Sequence, residues 1–85
     1  MDNQLSNFKV TDRKSFIKFL DLLQKDFKEN PNSWENKNLD DFLEAISCYT
    51  KDIQCYYDNT KQDINSDEAS WKIFADIFQG AKIYE

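Results

Sequence analysis

Apolar positions repeat with a helical period in three places along this chain. Phe16, Phe19, Leu20, Leu23 and Phe27 fall at i, i+3, i+4, i+7 and i+11, one stripe of a 3.6-residue helix, with Ile17 and Leu22 beside it. They predict a helix over about 12–29, capped by Thr11 or Asp12. It must end at Asn30, because the residue before Pro31 is pushed out of the α region. A second stripe of Leu39, Phe42, Leu43, Ile46, Thr50, Ile53 and Tyr57 predicts a helix over about 38–57. Asn38 is its N-cap, and Asp40 and Asp41 sit in the first turn, where the helix dipole favours them. Tyr49 and Tyr56 run along one edge of it. Ile53, Cys55 and Tyr57 also alternate as a strand would, but the alternation is short beside the helical period.

The third stripe is Trp71, Phe74, Ala75, Phe78 and Ala81, widened by Ile73, Ile77 and Tyr84 to more than half the circumference. A helix that apolar must touch two neighbours, so it belongs in the centre. It is expected over about 67–84, with an acidic first turn near Ser66 to Glu68. Gly80 could instead cap it, but the apolar residues that follow favour continuation. The fold class is therefore all-α: one domain over 1–85, a bundle of three main helices, with 1–10 as a loosely attached N-terminal arm. Two connections join the helices. Asp58 to Glu68, without period and rich in turn formers, reads as a long polar loop. Asn30 to Asn38 is also polar, yet carries Trp34. Either Trp34 closes the open end of the bundle as a structural anchor, or it is a hot spot for a partner.

Composition sharpens this picture. Seven Phe, four Tyr and two Trp give a short chain much apolar area, and one Gly with one Pro argues against disorder and turn-rich β-folds. No run approaches the roughly 20 apolar residues that span a bilayer. The start, MDNQLSNFKV, lacks the basic and apolar regions of a secretory signal, so a cytoplasmic location is expected. Net charge is −5 and unevenly spread. Residues 1–30 hold six basic and five acidic side chains, residues 31–68 three and nine, and residues 69–85 two and two. The middle of the chain thus carries a field that repels nucleic acid and anionic membrane and attracts a basic protein.

Candidate chemistry is sparse. Without histidine the commonest general base and the usual zinc imidazole are missing, and one glycine excludes a glycine-rich phosphate loop. Asp40, Asp41 and Glu44 are a turn apart but lie on a polar face, whereas acid–base pairs need unlike environments. Asp63, Asn65 and Asp67 imitate the start of a calcium loop, but Glu68 and Phe74 stand where the glycine and the bidentate glutamate are required. Cys48 and Cys55 are about 10 Å apart along the helix, too far for a disulfide within it, and their acidic neighbours argue against a reactive nucleophile. No catalytic residue, metal or cofactor is assigned.

Taken together, WEN at 34–36, L-x-x-F-L-E-A at 39–45, D-I-x-x-Y-Y at 52–57, W-x-x-F-A-D-I at 71–77 and the closing YE resemble a family of small bacterial domains of unknown function. The resemblance runs from about Phe16 onward. It implies a short, acidic, mainly helical cytosolic protein, lends no catalytic residues, and makes WEN look like an architectural joint. The expected function is a non-catalytic interaction module of unknown biological role. Its acidic surface is Glu35, Asp40, Asp41, Glu44, Asp52, Asp58, Asp63 and Asp67. A bacterial immunity protein that neutralises a toxin is one alternative, and a carboxylate- or metal-dependent hydrolase another.

Overall fold

A computed structural model describes residues 4–84, and of Gln4 and Ser6 the backbone alone. Met1 to Asn3 and Glu85 lie outside the described residues. The element order is α1 (Gln4–Asn7), α2 (Arg13–Glu29), a 3₁₀ turn (Pro31–Ser33), α3 (Leu39–Asn59) and α4 (Trp71–Ala81). The three main helices form the all-α bundle that the periodicity predicts. α4 packs against both α2 and α3, which make no close backbone contact with each other among the described residues. The most apolar helix is thus the central one.

The start of each main helix is fixed by a short polar side chain. At α2, Asp12 Oδ1 accepts from the Ser15 amide at 2.9 Å while Ser15 Oγ accepts from the Asp12 amide at 3.0 Å, a reciprocal capping box. At α3, Asn38 Oδ1 accepts from the Asp41 amide at 2.8 Å. At α4, the acceptor is Ser70 Oγ, 3.2 Å from the Ile73 amide. That last helix therefore begins some residues later than expected, without an acidic first turn. The segment before it is held elsewhere. Gln54 of α3 donates to the Ile64 carbonyl (2.9 Å) and accepts from the Ser66 amide (2.8 Å), and Asn65 Oδ1 accepts from the Asp67 amide (2.9 Å). The polar loop is thereby clamped to α3, and Ile64 joins the core.

α3 runs two residues beyond its expected end and closes with a Schellman turn. The Gln62 amide donates to the Tyr57 carbonyl (2.8 Å) and the Lys61 amide to the Asp58 carbonyl (3.2 Å), with Lys61 at φ 59°. The strand alternative over 52–58 is excluded, because those residues are α-helical. Its apolar stripe is also rotated. Ala45, Ile53 and Tyr57 are buried and Phe42, Ile46 and Tyr49 half-buried, whereas Leu39 and Leu43, expected in the core, are 71% and 54% exposed. Tyr49 explains the rotation. Its ring lies against Gly80 so closely that a Cβ there would collide with it. Gly80 is thus a point of close helix approach and not a cap.

The core has two parts. Phe19, Leu23, Trp34 and Ala75 anchor one, and Ile53, Tyr57 and Ile73 the other. Leu5 and Val10 are buried in the first, with Phe8 packed against it. The expectation of a loosely attached arm therefore fails for residues 4–10. Two buried aliphatic side chains represent about 3–5 kcal/mol of transfer free energy, which offsets part of the entropy cost of ordering the segment.

Candidate functional site

Trp34 is 7% exposed, which resolves why a polar connection carries an indole. Its N–H donates to Asp26 Oδ2 of α2 at 2.8 Å. Its ring meets Phe27 edge-on at 5.0 Å between centroids and Phe42 of α3 at 5.7 Å. Lys82, just past α4, pairs with Asp26 Oδ2 at 2.8 Å and stands 5.7 Å from the indole centroid. One side chain so joins all three helices at one end of the bundle. Burial alone would raise the Asp26 pKa, but hydrogen bonds from Lys82 and Trp34 outweigh it and hold the carboxyl below its usual range.

The next two residues fasten the chain's end. The Glu35 and Asn36 amides donate to the Lys82 carbonyl at 3.1 and 3.3 Å. Asn36 Nδ2 donates to the carbonyls of Ala81 (2.8 Å) and Tyr84 (2.7 Å). These donors satisfy carbonyls that the last turn of a helix leaves without a partner of its own. α4 ends at Ala81 and the expected continuation to 84 is not observed, although the Tyr84 amide still donates to the Gly80 carbonyl at 3.1 Å.

The eight acidic candidates are all exposed, but they do not form a single patch. Asp40, Asp41 and Glu44 lie at the start of α3, with Glu35 shortly before it. Asp58, Asp63 and Asp67 lie at its other end, about 27 Å away at 1.5 Å rise per residue from Asp40 to Asp58. Asp52, between them, accepts a hydrogen bond from the Tyr84 hydroxyl, which raises that tyrosine's pKa. Asp41 accepts from Asn38 Nδ2 (2.8 Å) and Asp58 from Gln54 Nε2 (3.1 Å). Among the described residues none of the eight is in an ion pair. Cys48 and Cys55 are free thiols exposed on this same outer face.

Periodicity alone did not show a second feature. A cleft of about 670 Å³ opens between the N-terminal segment, α3 and α4. Phe8 and Phe19 line one side, Tyr49 and Tyr56 the other, over the small floor residues Ala75 and Gly80. Asp76 at its edge accepts from the Tyr57 hydroxyl (2.7 Å) and from Lys72 Nζ (2.7 Å). Burial, with the bond to Asp76 second, drives the Tyr57 pKa far upward, and burial raises Tyr49 to about 12. The available signals were Phe8 and Val10, two apolar residues ahead of the first helix, and the i,i+4 pair Lys72 and Asp76.

No curated protein and no solved structure matches the chain. Residues 12–85, which contain the three main helices and the Trp34–Asn36 joint but not the N-terminal wall of the cleft, match a family of unknown function, DUF7660, and the chain belongs to that family.

Proposed function

We propose that the protein is a non-catalytic interaction module that presents the outer face of α3 to a basic protein partner in the cytoplasm. The observation that carries this reading is the composition of the first turns of α3. Leu39 and Leu43, among the most exposed large apolar side chains of the described residues, alternate with the exposed carboxylates of Asp40, Asp41 and Glu44, none of them in an ion pair. Carboxylates steer a basic partner toward the helix, and the two leucines supply apolar area to hold it. The same field disfavours nucleic acid and anionic lipid. No helix among the described residues is long and apolar enough to cross a membrane.

The test is capture of partners by the tagged protein at low and high salt, followed by association kinetics with the captured protein. Asp40→Lys with Glu44→Lys is the informative variant, because Asp41 also takes part in the α3 cap. Slower association and a flatter salt dependence support the reading. A partner whose kinetics ignore both charge reversal and Leu43→Ser removes this face from consideration.

A further inference from the structure

We propose that the cleft between the N-terminal segment and the α3–α4 pair is a binding site for a small organic anion with a flat apolar body. This goes beyond the α3 interaction face and is independent of it. A volume of about 670 Å³ falls in the range of small-molecule sites. Ala75 and Gly80 lie at the floor, where the Tyr49 ring packs against Gly80, and Phe8, Phe19, Tyr49 and Tyr56 supply the aromatic lining. Tyr49 and Tyr56 lie beside one another, 6.4 Å between centroids and tilted by 50°, and form one aromatic side. Aromatic walls over a small-residue floor favour a planar apolar body, which buries large area at little cost in side-chain entropy.

The charge selects the ligand's head group. Lys9, Lys72 and Asp76 are the ionisable aliphatic groups lining the cleft, so it is locally positive by one charge on a chain whose net charge is −5. Asp76 is already engaged, since its Oδ2 accepts from both Tyr57 and Lys72. Lys72 is not used up. Its ammonium has three donors, one on Asp76 and a weak one 3.4 Å from Gln62 Oε1, and its side chain is 46% exposed. A carboxylate or sulfonate fits the remaining donor, with Lys9 and the Gln79 amide as further polar groups of the lining. A cationic head would meet two ammonium groups and a carboxylate that is already occupied.

The experiment uses the full chain and three probes: 1-anilinonaphthalene-8-sulfonate, the neutral N-phenyl-1-naphthylamine, and naphthalene acetate. Binding is followed by amide chemical shifts and by calorimetry. The proposal expects saturable one-to-one binding of the two anions, with shifts concentrated at Phe8, Lys9, Tyr49, Tyr56, Lys72 and Gln79. Lys72→Met should weaken the anions about tenfold, as loss of a charge-assisted hydrogen bond requires, and leave the neutral probe within about twofold. Tyr56→Ala, at an exposed position that leaves the core intact, should weaken all three. Shifts spread over other faces, unsaturable binding, or equal affinity for neutral and anionic probes each overturn the proposal. So does a Lys72→Met variant that binds the anions as the parent does.

Discussion

Asn36→Ala tests whether the joint after Trp34 holds the end of the fold. The substitution removes two hydrogen bonds, to the carbonyls of Ala81 and Tyr84, and leaves the backbone amides of Glu35 and Asn36 on Lys82 in place. Each lost bond is worth about 0.5–1.5 kcal/mol net. Ala81 is fully buried, so its carbonyl has no easy access to water and its loss belongs at the upper end. The expected cost is about 2–3 kcal/mol, or roughly 10–20 °C in melting temperature for a chain of this size. Glu35→Ala is the control. Its side chain is exposed and makes no hydrogen bond among the described residues, so the change should stay within about 0.5 kcal/mol. Urea denaturation gives both numbers, and amide exchange at Ile83 and Tyr84 should quicken in Asn36→Ala alone. Equal stability of the two variants would refute the account of Asn36 as the clasp on the segment after α4.

Other outcomes follow from the same geometry. Lys61→Gly should raise stability by up to about 1 kcal/mol, because φ 59° strains a lysine and suits glycine; a loss on urea denaturation would contradict the Schellman assignment. Gly80→Ala should gain about 1 kcal/mol of helix propensity and lose about 1–3 through collision with the Tyr49 ring, for a net loss. In a Tyr49→Ala background the same change should become stabilising, and a double-mutant cycle without that reversal of sign would separate the two residues. Alkaline pH should unfold the protein. Tyr49 titrates near pH 12 when folded and near its ordinary value of 10 when unfolded, so the unfolded state sheds its proton first. Its stabilisation is whole below pH 10 and drains between pH 10 and 12, by at most about 1.4 kcal/mol per pH unit. A Tyr49→Phe variant whose stability falls between pH 10 and 12 as steeply as the parent's would refute this.

Helix existence was legible because it depends on local period, and the α2 stripe shows how far that goes. Phe19 and Leu23 are its buried centre, as spacing alone predicts. Facing directions were harder to read. Leu39 and Leu43 fit an apolar stripe as well as Tyr49 does, and the choice between them rests on a contact with Gly80 that lies 31 residues away in sequence. Helix ends were legible only where the cap is local. Asn38 and Asp12 cap from adjacent positions, and both were within the expected choices. The start of α4 is set by Ser70, an equally local cap, but the segment before it is held by Gln54 and the carbonyls after it by Asn36, and neither of those partners leaves a trace in the α4 sequence itself.

The same distinction bears on where function can reside. A tryptophan in a polar connection was open to two readings, and its environment decides between them physically. An indole whose N–H is satisfied by Asp26 and whose ring is covered by Phe27 and Phe42 has little left to offer a partner. Withdrawing it would remove the indole hydrogen bond from Asp26 and uncover the rings of Phe27 and Phe42. Both proposed contacts therefore use groups the fold does not consume: the exposed leucines and carboxylates at the start of α3, and the exposed Lys72 ammonium beside the aromatic cleft. Lys82 shows the contrast. Its side chain is 17% exposed and tied to Asp26, so of two lysines on the same helix and its end, Lys72, with a side chain 46% exposed, is the one a ligand can reach.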